Sequence, residues 1–145
     1  MMETGVMSVS ESVFTPSEIE YLQTVRLGRM ATVGANGMPH VVPVTFRYNP
    51  DTDTIDIGGG YGFATRKKWR DVHVNPVAAL VIDDRLPENK GVRGLEIRGN
   101  VEILLTGGKT IVPTFDPEMI RLKPTHIASW GIDSDPYGKS NSRNV

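Results

Sequence analysis

The sequence predicts a mainly β domain of the α+β class, a six-stranded antiparallel barrel with short helices, and three observations predict it. Strand-patterned stretches recur from Arg29 to Ile132, closed by glycine, proline or asparagine turns. Fifteen glycines and ten prolines in 145 residues supply those turns. Helical signals are confined to two short pieces, so a chain alternating strand and helix does not fit.

Taken in order, Met1 to Val13 is polar and is read as a flexible N-terminus. Thr15-Pro16-Ser17-Glu18 is a helix start: Thr15 can cap, Pro16 suits the first helical position, and Glu18 completes a capping box. The helix should run to about Thr24. Arg29 to Gly34 is a first strand, and Asn36-Gly37 is a strong hairpin signal. His40 to Tyr48 is a second strand. Pro43 inside it marks an edge, a bulge or a place where the ladder opens for a ligand, because proline has no amide to give. Thr54 to Gly58 alternates as a third strand. Thr65 to Asn75 is a short helix ended by Asn75-Pro76. Val77 to Ile82 is a continuous apolar run and so a buried fourth strand. Val92 to Ile103 alternates as a fifth, with Gly99 a bulge or bend. Met119 to Ile132 holds a last strand or strand pair. Residues 14–133 form one domain, and 134–145 read as a flexible tail.

Composition excludes several functions. The net charge is −1 and the pI about 6.3, so no basic field exists to attract nucleic acid. No run approaches the roughly 20 apolar residues of a membrane span. There is no cysteine, hence no disulfide, thiol nucleophile or thiolate metal site. The N-terminus lacks the apolar segment of a signal peptide, which fits a cytoplasmic protein. The histidines, His40, His73 and His126, are not spaced for a metal. His40 reads as a surface residue, and His126 has the best chance of facing a pocket.

One segment stands out chemically. Arg66, Lys67, Lys68 and Arg70 place four of the sixteen Lys and Arg within eight residues, directly after the turn Gly58-Gly59-Gly60-Tyr61-Gly62. Glycines let a backbone approach a ligand closely, basic side chains neutralise phosphate oxygens, and a helix start adds free amides. A solvated charged face is the alternative reading of the same cluster. The glycines do not have the spacing of a dinucleotide-binding fingerprint.

The ordered set Met30-Ala31-Thr32-Val33, Asn36-Gly37-Met38-Pro39-His40, Val41 to Phe46, Lys68 with Asn75-Pro76 behind it, Val77 to Asp83 and Val92 to Glu102 resembles the pyridoxamine-5′-phosphate-oxidase-like split-barrel family. The resemblance covers about residues 14 to 133. Ile127 to Ile132 is similar to actinobacterial members that use the deazaflavin coenzyme F-420. It implies a split barrel that binds F-420, or alternatively FMN, and reduces an unsaturated small molecule by hydride transfer. It implies a homodimer with two cofactors in the interface. It gives Lys68 the phosphate, with Lys67, Arg66 and Arg70 as further basic contacts. It places Val42, Pro43, Val44 and Thr45 along the ring, Ile57, Gly58 and Gly59 beside ring and ribityl chain, and Trp130, with His126, as the partner's cover. Gly94 departs from the glutamine of the oxidases, and their C-terminal Arg-rich motif is missing, which argues against vitamin synthesis. A carrier that stores or delivers the cofactor, and a barrel with none, remain alternatives.

Overall fold

The computed structural model describes residues 11–145, and most of the segment read as a flexible N-terminus lies outside the described residues. Helix α1, Pro16–Thr24, opens on the predicted capping box: Thr15 accepts from the Glu18 amide at 3.1 Å, and the Glu18 carboxylate accepts from the Thr15 amide at 2.9 Å. Strands β1 (Leu27–Val33) and β2 (Pro39–Asn49) flank the Asn36-Gly37 turn, where Gly37 takes a φ of 77°. Strand β3 is Thr54–Gly58 and helix α2 is Lys67–Val74. The expected start of that helix, Thr65, belongs instead to a separate 3-10 turn, Phe63–Thr65. Strands β4 (Val77–Arg85), β5 (Val92–Leu104) and β6 (Met119–Trp130) follow, and β7 is Asn141–Asn144.

The strand order is β3-β2-β1-β4-β5-β6-β7, and pairing of β3 with β6 closes β1 to β6 into a six-stranded antiparallel barrel. Inward side chains fill it, among them Met30, Phe46, Ile55, Ile57, Leu80, Ile82, Leu95, Ile97, Ile120 and Leu122, each 1% exposed or less. Among the described residues no helix is long and apolar enough to cross a membrane.

Two prolines and a glycine shape the barrel. The Phe46 amide donates to Arg26 on the β1 side at 3.1 Å. By alternation the Val44 and Val42 amides face β1, and Pro43 faces the other way. On that other side β3 pairs only from Thr45 onward, so Pro43 lies where the ladder stands open. Strand β6 is a single strand that changes partner along one edge: Ile120 to Leu122 pair with β3, His126 to Ser129 with β7. Pro124, with no amide, stands at the changeover. Opposite it, the β5–β6 register shifts between Arg98 and Gly99, the predicted bulge, where a Cβ would collide with the Lys123 carbonyl.

The segment 134–145, read as a flexible tail, carries β7. Arg143 on this strand donates to both oxygens of buried Glu18, at 2.6 and 3.1 Å, and to the Val13 carbonyl at 2.9 Å. That pairing, across 125 residues of sequence, holds the polar strand against the barrel.

Candidate cofactor site

A cleft of about 550 Å³ opens where β2 loses its partner. One wall is the free edge of β2, from His40 and Val42 to Thr45, and the floor is the β3 end with Gly58, Gly59 and Gly60. The second wall is the start of α2 with Arg66, Lys67 and Lys68, over Phe63. Phe115, from the β5–β6 connection, closes the end.

The basic wall is not uniform. Lys67 Nζ lies 2.9 Å from the Asp71 carboxylate, one helical turn on. Asp71 also accepts from the Thr32 hydroxyl at 2.8 Å. Burial pushes the Asp71 carboxyl up, but the hydrogen bonds from Lys67 and Thr32 outweigh it and hold the group below the usual carboxylate range. Lys68 has no such partner. It is half-buried, its ammonium sits 5.2 Å from the Phe63 ring centre, and it makes no hydrogen bond or ion pair among the described residues. Burial, and then the neighbouring Arg66 charge, lower its proton affinity below that of an ordinary lysine. Among the described residues Arg66 pairs with no carboxylate either; it donates to the Tyr61 carbonyl at 3.3 Å. No side chain caps α2, so its first-turn amides start unpaired beside these two cations. The donor set is therefore cationic, convergent and uncompensated, which suits an anion such as a phosphate.

The glycine turn contributes differently from expectation. The amides of Gly62 and Phe63, which could have cradled a phosphate, both donate to the Asp116 carboxylate at 2.9 Å. The turn is thus closed by an internal anion, and its part in the cleft is the floor at Gly58, Gly59 and Gly60, against which Phe115 and Phe63 pack.

Of the residues read from sequence, the structure gathers Lys68, Lys67, Arg66, Val42, Pro43, Val44, Thr45, Gly58 and Gly59 around the cleft. Arg70 is turned away, donating to the Thr65 carbonyl at 2.6 Å. Ile57 is fully buried in the barrel core, because strand alternation points it inward. Trp130 lies at the end of β6 opposite Gly94, and a Cβ on Gly94 would run into its indole. His126 does not face this cleft: it bonds Asn144 at 2.9 Å and Ser142 at 3.1 Å across the β6–β7 ladder. His40, read as a surface residue, is half-buried in the cleft, in line with Val42 and Val44 along the inward side of β2. That alternation was the available signal for it. Phe115 and Asp116 had none, since their contacts are far apart in sequence. Among the described residues no three His, Cys, Asp or Glu side chains converge as a metal site.

The model of the pyridoxamine 5′-phosphate oxidase family matches residues 15–131, most of the chain. The chain belongs to that family. It is 43% identical over 135 residues to the 5a,11a-dehydrotetracycline/5a,11a-dehydrooxytetracycline reductase of Streptomyces rimosus subsp. rimosus, a match spanning 91% of this chain and 93% of that one. Among solved structures, the FAD binding protein of Mycobacterium smegmatis superposes with a TM-score of 0.60 at 18% identity, covering 81% of this chain and 95% of that one. The heme binding protein of the same organism gives 0.65 at 15%, covering 91% and 60%. At such identities these structures establish the split-barrel fold. The protein is an oxidoreductase of the family and not a vitamin-synthesising oxidase, in keeping with Gly94. The family points to a cofactor of flavin type.

Proposed function

We propose that the protein is a coenzyme F-420-dependent reductase that saturates a conjugated double bond in a small multi-ring molecule, working as a cytoplasmic homodimer with two cofactor sites. The observation that carries the reading is the cleft itself: an open strand edge facing two cations, Lys68 and Arg66, that no carboxylate of the described residues neutralises. Arg66 and Lys67 are exposed, so the basic strip continues past Lys68 to solvent. A longer anionic tail suits such a strip better than one compact phosphate. The identity to a dehydrotetracycline reductase supports a conjugated acceptor.

A bound reduced cofactor of this type supplies a hydride; the acceptor gains that hydride at one carbon and a proton at its neighbour. The chain's own part is binding and placement. Lys68, Arg66 and the first amides of α2 hold the phosphate. Val42 to Thr45 offer a flat backbone edge along one side of the ring, with Pro43 presenting a carbonyl and no amide. Gly58 and Gly59, bare of side chains, let Phe115 and Phe63 pack close against the floor. Lys67, drawn to Asp71, steadies the helix start.

The test is a fluorescence titration of purified protein with F-420 and with FMN, wild type beside Lys68→Ala, followed by turnover of 5a,11a-dehydrotetracycline with the reduced cofactor. Tight F-420 binding that the variant loses, with turnover, is the expected result. Preference for FMN would move the protein to the flavin-using reductases. Binding without turnover of any acceptor would make it a carrier.

A further inference from the structure

We infer that the β5–β6 connection, residues 105–118, is the acceptor-selecting wall of the cleft, with Phe115 the face on which a flat multi-ring acceptor lies and Asp116 the residue that positions it. The inference rests on the reductase reading and deepens it. Two phenylalanine rings line the cleft, and they differ. Phe63 is 1% exposed, belongs to the core and lies beneath Lys68. Phe115 is only partly buried, outside the core cluster, and lies over Gly58 at the end of β3: a Cβ there would come within 3.1 Å of its ring. It is therefore an aromatic face in the lining that no cation of the described residues covers. A phosphate gains nothing from such a face, whereas a conjugated ring system stacks on it.

The ring is also held in place. The Asp116 amide donates to the Gly59 carbonyl at 3.0 Å while its carboxylate takes the Gly62 and Phe63 amides. The Phe115 amide donates to the Val112 carbonyl at 2.9 Å, and Lys109 Nζ to the Phe115 carbonyl at 2.8 Å. The connection is thus tied to the glycine turn and to itself on both sides of the ring. A preset aromatic face orders nothing further when a ligand arrives, which favours affinity.

The experiment uses full-length protein loaded with oxidised cofactor and tetracycline as the multi-ring probe, measured by calorimetry for wild type, Phe115→Ala, Phe115→Leu, Asp116→Ala and Asp116→Asn. Phe115→Ala is expected to weaken tetracycline about tenfold while cofactor affinity stays within about twofold. Phe115→Leu, which keeps an apolar core-compatible side chain, should lose most of the same affinity because the planar face is gone. Asp116→Ala should reproduce the loss, and Asp116→Asn, whose amide oxygen still accepts, should restore most of it. With 5a,11a-dehydrotetracycline the loss should appear in KM more than in kcat. Unchanged tetracycline affinity in the Phe115 variants, or cofactor affinity falling in step with it, would overturn the inference. Wild type that takes up cofactor but not tetracycline would overturn it too and leave the cofactor site standing. Wild type that takes up neither F-420 nor FMN removes the reductase reading and this inference together, a result seen before any probe is added.

Discussion

Lys68 and Lys67 are neighbours in sequence and do different work. Lys67 spends its charge on Asp71, and Lys68 faces the cleft without a counter-ion among the described residues. Replacing Lys68 by alanine should weaken cofactor binding about 10- to 100-fold, the range for losing a charge-assisted hydrogen bond; Lys67→Ala should cost binding far less. The pH dependence has a definite sign. Burial and Arg66 lower the proton affinity of Lys68, so the free protein loses this cation at lower pH than an ordinary lysine would. Anion affinity should therefore fall as pH rises toward the usual lysine range, and binding should take up protons, which calorimetry in buffers of different ionisation enthalpy reads directly. Asp71 titrates the opposite way. Its carboxyl is held low, so its contribution to stability is complete above the ordinary aspartate range and is lost as pH falls through the lowered value. Asp71→Asn should cost about 1–3 kcal/mol at neutral pH and flatten the acid limb of the stability curve, measured by urea unfolding at several pH values.

At the scale of elements, what was legible was local. The capping box of α1, the Asn36-Gly37 turn and the Gly99 bulge each sit within a few residues of the groups that enforce them, so the sequence announces them. Pro43 was legible too: its missing amide points to the open side of β2, and Pro43→Val should change stability by no more than about 0.5 kcal/mol. Strand β7 was not legible. Asn141-Ser142-Arg143-Asn144 has no apolar alternation. It is a strand because β6 offers an unpaired edge beyond Pro124 and because Arg143 reaches Glu18. Asp116 was hidden for the same reason, since its partners Gly62 and Phe63 lie more than fifty residues away. The basic cluster of the site was readable because it is contiguous; Phe115, its other end, was not. Arg143→Met leaves Glu18 fully buried with its charge uncompensated, and should cost about 3 kcal/mol, seen as a lower urea midpoint. Glu18→Gln in the same chain should recover part of that loss, because the stranded charge is then gone.

The whole molecule leaves one sheet face conspicuously apolar. On the outer side of β2, β1 and β4, Val41, Ala31 and Ala79 pair into a row, with Pro39 and Val33 continuing it on β2 and β1. Val77 lies toward the same end of β4, and Val41 is 66% and Val77 47% exposed. A chain that shows such a face to water is poised to cover it, and a second copy is the occupant the proposed homodimer requires. The same strand that presents Val41 outward presents His40 and Val42 to the cleft, so a partner on this face would sit against the cofactor wall and steady it. A charge planted on the patch tests this. Val41→Lys with Ala79→Glu should give a monomer by sedimentation velocity, and cofactor affinity should fall with it although neither residue lines the cleft. The two substitutions have opposite sign and flank Ala31 of β1 on β2 and β4, so the monomer gains no like-charge pair on its own sheet. A dimer that persists would put the interface elsewhere. A monomer that binds cofactor as tightly as wild type would make each cleft self-sufficient, and the role proposed for Trp130 as the partner's cover would fall with it.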